Sequence, residues 1–248
     1  MGEAFKLRLS NKDIVEIAED FLKKVDPGLF KYPRMTNLER LVESIKHQYG
    51  FEFSIQNLGS RDNKKILGQT NFKLKAILID ESFHDEECGR FLRYPFVLAH
   101  EMGHCIIHGP HYESLKEAGV FGESTTDDRD SIFSKKTLIT ERDFIEHQAS
   151  HFAGAILVPS ASLPTAIRNV QSKLGINRGL GKIYLDHNDY SIRDMNLTLT
   201  ELQSIYFVSK SVLKVRLEQD GLIEKPSIRD KQIDAIIERY FSITRLDE

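Results

Sequence analysis

The chain is poor in cysteine, has no large excess of either charge and lacks any long apolar run. Its two cysteines, Cys88 and Cys105, read as reduced thiols and not as a disulfide framework, because a lone pair in 248 residues without an export signal fits a reducing compartment. The opening residues, Met1 to Arg8, scatter charges where a secretory signal needs an apolar core, so a cytoplasmic location is expected. Lys6 stands where a myristoylation pattern after Gly2 requires Ser or Thr. Apolar runs such as 152–158 fall far short of the roughly 20 residues that a bilayer demands, so no membrane segment is expected. The formal charge of -3 lacks the basic excess of a dedicated nucleic-acid binder. Neither a repeat nor a low-complexity segment is visible.

What remains is the composition of an ordinary globular protein, 40% hydrophobic and 29% charged. A chain this long buries enough apolar surface to fold without staples, so a metal here would serve chemistry more than folding. Residues 10–25 place Ile14, Ala18, Phe21 and Leu22 at helical spacing behind Ser10 and Asn11, which can cap the first turn. A second helical pattern follows Thr36 and stops at Gly50. Phe51, Phe53 and Ile55 then alternate with polar residues, and 73–80 gives a second strand-like run, so a small sheet precedes the next helix.

Tyr94-Pro95 opens that helix and Gly109-Pro110 closes it. Residues 110–139 are long, polar and acidic without clear periodicity, the character of a functional loop or lid. Thr140 and Asp143 fit a capping pattern for a helix bearing Ile145, Ala149, Phe152 and Ile156, which must stop near Pro159. Residues 175–196 read as a loop or hairpin with a short strand at 182–185. Two short helical patterns follow, 201–206 and 209–218, with a turn at Phe207-Val208 and a last apolar stripe through Ile233, Ile237 and Tyr240. The order predicts an α+β fold with a main domain over 1–196 and a helix-turn-helix-like helical region over 197–248.

His100-Glu101-Met102-Gly103-His104 is an H-E-x-x-H pattern. Residues four apart share a helix face, so two neutral imidazoles converge on one divalent cation while Glu101 reaches the position where water binds. The apolar neighbours Phe96, Val97, Leu98, Ile106 and Ile107 make this a buried helix. A catalytic zinc takes three protein ligands and keeps a fourth position open. A metzincin would supply glycine and histidine at 107 and 110, which here are Ile107 and Pro110, and His111 is out of register. The other common solution is a carboxylate on a second helix, and Glu146 supplies it, with the small Ala149 one turn on to let two helices approach. The expected site is His100, His104 and Glu146 as ligands with Glu101 as the catalytic acid/base. Zinc is the expected ion, with manganese or iron as alternatives for the same donors.

The run from Phe96 to His108, then Glu146-x-x-Ala-x-x-Phe-Ala, Leu157-Val158-Pro159, Phe207-Val208-Ser209 and Arg216-Leu217 with Gly221 resembles the ImmA/IrrE family of metallo-endopeptidases. The resemblance spans about residues 10–223, with sharp motifs at some forty positions. It implies a mainly helical, zincin-like peptidase domain with a small sheet, the same three ligands and the same acid/base. It also implies a protein substrate, a helix-turn-helix repressor of the Xre type whose cleavage relieves transcriptional repression. Such an enzyme takes its substrate as a strand on a sheet edge, and the 73–80 run is the expected edge. The chain departs from the family pattern in longer segments before Glu146 and over 175–196, and in Ser150 where Asn or Asp is usual, at a position that can bond a ligand histidine.

His108 lies one turn beyond His104 and is expected beside the metal site, not as a ligand. Cys105 reads as a small buried hydrophobe. His147, His151, Tyr184, His187 and Tyr190 are open candidates for stabilising an oxyanion. The alternative function is a DNA-binding or toxin-antitoxin regulator with a non-proteolytic metallopeptidase-like domain, for which Lys210, Lys214 and Arg216 would be the basic face. Glu218, Asp220 and Glu224 follow at once, so direct nucleic-acid binding is the weaker expectation.

Overall fold

The structure is a computed structural model that describes residues 7–61, 64–84, 92–120, 124–128, 140–186, 188–225 and Ala235. These fall into two compact units, Met1–Val25 with Asn37–Ile156 and Asp26–Thr36 with Leu157–Glu248. The chain is α+β, a set of helices with a five-stranded sheet in the first unit and a two-stranded one in the second.

In the first unit, helix α1 (Asn11–Val25) buries Ile14, Ala18, Phe21 and Leu22 on one face. Its start is capped reciprocally: Asp13 N–H donates to Ser10 Oγ at 3.2 Å and Ser10 N–H donates to the Asp13 carboxylate at 2.8 Å. Helix α2 (Leu38–Tyr49) follows Thr36 as expected, with Asn37 as its N-cap, whose side chain accepts from Arg40 N–H. It ends as expected at Gly50, whose φ of 71° is the left-handed conformation glycine adopts freely.

The sheet then forms from β1 (Glu52–Gln56), β2 (Ser60–Arg61), β3 (Lys64–Asn71) and β4 (Ala76–Asp80). β4 pairs parallel with β1 and antiparallel with β3. The strand expected as a free edge is therefore interior, and its first residues, 73–75, belong to the turn from β3. β3 itself is absent from the sequence reading, because Gly68 and Asn71 are turn residues and Ile66-Leu67 offers no alternation.

Helix α3 (Tyr94–Gly103) is buried from Pro95 to Gly103, as an element apolar on all sides must be. It widens into a π turn over His104–His108, closed by Gly109 N–H on the His104 carbonyl. Part of the expected loop 110–139 is ordered structure: a short helix α4 (Tyr112–Glu117) and a strand β5 (Ser124–Asp128) that pairs antiparallel with β3. Helix α5 (Glu141–Leu157) starts with the expected Thr140–Asp143 reciprocal cap, at 3.1 and 2.8 Å.

α3 and α5 meet at Gly103. A Cβ there would lie 3.1 Å from Ala149 Cα, 3.1 Å from Phe152 Cδ1 and 3.2 Å from the Ala149 carbonyl, so no side chain fits between the two backbones.

The second unit holds α6 (Leu163–Leu174), β6 (Ile183–Tyr184), α7 (Asp189–Tyr206), α8 (Lys210–Gln219) and β7 (Ile223–Glu224), with β6 parallel to β7. The short strand appears where the 182–185 run placed it, but 189–196 is helix and not loop, so the division drawn at residue 196 passes through α7 within the second unit. α7 ends at Phe207 with φ 54°, and Ser209 caps α8. Arg216 is 1% exposed and donates to the Val158 carbonyl at 3.1 Å and to Gln219 at 2.8 Å. Lys214 is 9% exposed, so two of the three residues of the supposed basic face are buried. The apolar stripe through Ile233 and Tyr240 lies outside the described residues, as does Cys88. Among the described residues no helix is long and apolar enough to cross a membrane.

The Gly103 contact yields a prediction. Gly103→Val is expected to destabilise the protein by about 1–3 kcal/mol through overpacking, read as a lower urea midpoint at unchanged slope.

Candidate metal centre

α3 presents His100 and His104 one turn apart, and α5 brings Glu146 to them across the Gly103 contact. The two Nε2 atoms stand 3.1 Å apart, and Glu146 Oε2 lies 3.2 Å from the first and 3.5 Å from the second. All three groups offer one ligand atom within 4.8 Å of the others, a cluster that can hold a metal ion. Tetrahedral ligands bound at about 2.05 Å stand about 3.3 Å apart, close to each side of this triangle. The remaining oxygen, Glu146 Oε1, is buried without a hydrogen-bond partner among the described residues, a cost that a cation at the triangle offsets. The donors therefore fit a divalent ion.

The protons of the site can be traced from the backbone inward. Gln148 Nε2 donates to the Leu7 carbonyl at 2.9 Å, which fixes the amide so that its Oε1 faces His108. That oxygen accepts from His108 Nε2 at 3.0 Å. Burial pushes the His108 pKa well below the usual imidazole value, so the ring is neutral and its Nδ1 is a bare acceptor. His104 Nδ1 stands 3.0 Å from it and must carry the proton, which leaves the His104 Nε2 lone pair facing the triangle. His100 is held from the other side, with Ser150 Oγ 3.2 Å from its Nδ1. Ser150 thus reaches His100 from α5, at the position expected to bond that ring.

His104 Nε2 then presents its lone pair to the triangle, 3.1 Å from His100 Nε2, where a cation shared by the two rings would be stabilised. Burial pushes His104 below the usual imidazole value, so it favours the neutral, ligating form.

Glu101 points the other way along α3, toward the sheet. Thr70 Oγ1 on β3 donates to Glu101 Oε2 at 2.6 Å. Two residues earlier on the same face, a Cβ at Gly68 would come within 2.8 Å of both Glu101 Oε1 and Val97 Cγ1. Glycine at 68 leaves room for the carboxylate, and Thr70 aims it. The sequence reading missed both with β3, although a glycine inside a strand is itself a sign of close approach.

The other candidates lie elsewhere. Cys105 is buried, and burial with the charge of Glu101 raises its thiol well above the ordinary value, so it is an inert hydrophobe. His147 contacts Asn11 at 3.3 Å and its ring lies 4.1 Å from that of His151; neither belongs to the ligand cluster. Tyr184 and Tyr190 sit in the second unit, and His187 lies outside the described residues. A cleft of about 680 Å³ lined by Tyr49, Phe72, Lys75, Cys105 and Tyr112 contains none of the three ligands.

No family model and no curated protein matches the chain.

The purified protein is expected to bind one divalent ion per chain by elemental analysis. His108→Ala and Gln148→Leu, which free the His104 ring, are expected to weaken that binding by about 10–100-fold in competition with a chromophoric chelator. Glu146→Ala, which removes a ligand, is expected to weaken it further still.

Proposed function

We propose that the protein is a cytoplasmic, zinc-dependent endopeptidase, similar to the ImmA/IrrE family, that cuts a peptide bond in a protein partner. The partner of this reading is an Xre-type helix-turn-helix repressor, whose cleavage relieves transcriptional repression. The observation that supports it most is the pairing of a three-ligand cluster with a carboxylate one residue away that is aimed separately by β3. A metal site that only stabilised the fold would be closed by four ligands and would have no use for a held carboxylate at its side.

In this reading a bound zinc polarises the scissile carbonyl and acidifies a water that it shares with the site. The chain's own residues do the rest. Glu101 takes the proton from the attacking water as its oxygen bonds to the carbonyl carbon, then delivers that proton to the amine as the carbon–nitrogen bond breaks. Thr70 holds one carboxylate oxygen and so limits the angles from which the other can act. His108, Gln148 and Ser150 keep the two ligand rings in the ligating orientation. The burial of His100, Glu101 and His104 keeps bulk water from competing for these contacts. The regulatory alternative loses weight because Lys214 and Arg216 are spent inside the second unit.

The experiment is incubation of the protein with an Xre-type helix-turn-helix repressor, followed by mass spectrometry. Wild-type protein is expected to give one discrete cut. Glu101→Gln is expected to slow it by about 10²–10⁴-fold, the scale of a lost general acid/base, with metal affinity retained. Near-wild-type cleavage by Glu101→Gln would overturn the mechanism.

A further inference from the structure

β3 is the strand that meets the Glu101 carboxylate, through Gly68 and Thr70, and one of its two edges is covered by the interior strand β4. An extended polypeptide that added to its other edge would run its backbone past the general base. The place is already taken. β5 pairs antiparallel with β3, with Gly68 opposite Asp127, Gln69 opposite Thr126 and Thr70 opposite Thr125. The backbone at 125–127 therefore stands one strand spacing, about 4.8 Å, from the positions that hold Glu101.

β5 is also poorly suited to be a permanent strand. Its sequence, Ser-Thr-Thr-Asp-Asp, contains no large apolar residue and ends in two residues that strands avoid. The ladder is irregular between Ile66 and Gly68, where the register shifts.

We propose that β5 is an internal occupant of a strand-docking edge, and that an extended segment of a protein substrate must displace it to reach the site. This rests on the peptidase reading. The ligand that the edge takes is polypeptide backbone, aligned antiparallel to β3, and β5 competes for the same hydrogen bonds. Cleavage then waits on a partner that opens the edge, which restrains a peptidase of low intrinsic sequence preference.

The test is a reversible staple. Gln69→Cys with Thr126→Cys, in a Cys88→Ser background, joins directly opposed positions, whose Cα separation of about 4.5–5.5 Å in an antiparallel pair lies within disulfide range. Oxidised protein is expected to cut the repressor at least about tenfold more slowly than the same protein after reduction. Thr125→Pro, which removes a strand N–H, is expected to speed cutting. A second readout needs no catalysis: in a Glu101→Gln background, fluorescein-labelled unfolded casein is expected to bind about tenfold more weakly to the oxidised than to the reduced form. Equal casein binding by the two forms, at unchanged metal content, overturns the proposal. If binding responds to the staple while no form cuts any protein, strand docking stands and the peptidase reading falls.

Discussion

The close crossing of α3 and α5 at Gly103 and Ala149 is the constraint on which the rest of the first unit depends. His100 and His104 flank Gly103 on one helix, and Glu146 and Ser150 flank Ala149 on the other. The polar links from Glu146 to both histidines, from Ser150 to His100 and from Gln148 to His108 exist because the backbones touch without an intervening side chain. A buried carboxylate and three buried imidazoles are costly in an apolar setting, and each is tolerable only with its partners in place. The helix contact supplies the partners, and an ion at the cluster would supply what Glu146 Oε1 lacks among the described residues.

α3 is read on two sides, and that divides the labour of the site. The side toward α5 carries the ligands, oriented through a chain of hydrogen bonds that ends on the Leu7 carbonyl. The side toward β3 carries Glu101, which owes its position to Thr70 and to the missing side chain at Gly68. Adjacent residues on a helix point about 100° apart, so neighbours in sequence can answer to different packing surfaces. Changes on the sheet side should therefore reach Glu101 without disturbing the cluster of His100, His104 and Glu146, and changes on the α5 side should do the reverse.

This division also explains which parts of the molecule were legible in the sequence. The ligand pair, the caps at Ser10–Asp13 and Thr140–Asp143 and the stop at Gly50 are local: their partners lie within four residues, and spacing carries them. Glu146 lies farther off, but its helix announces itself and Ala149 marks the contact. The hidden pieces are those whose cause is distant. β3 has the composition of a loop, since its glycine and threonine serve Glu101 thirty or so residues away and not the strand's own pattern. Nothing near Gln148 points to Leu7, 141 residues earlier. β4 reads as an edge until β1 is seen to pair with it. The first residues of α7, Asp189 to Asn196, are polar enough to pass for loop, and only Ser191 and Met195 on their buried side betray the helix.

On the proposed peptidase reading, with β5 as the occupant of a docking edge, selectivity follows from the arithmetic of tethered competition. A segment joined to its site by a short connection competes at an effective concentration in the millimolar range. A free peptide that offers only backbone hydrogen bonds, with a dissociation constant of about 1 mM, gains about 4 kcal/mol on docking and cannot exclude such a rival. A partner that also contacts the enzyme elsewhere can, since each additional 1.4 kcal/mol or so multiplies its advantage tenfold. Preference for one protein over another then need not reside at the scissile bond. It arises from whatever surface supplies the extra contacts, and the weakness of the Ser-Thr-Thr-Asp-Asp strand sets how much of that help is required.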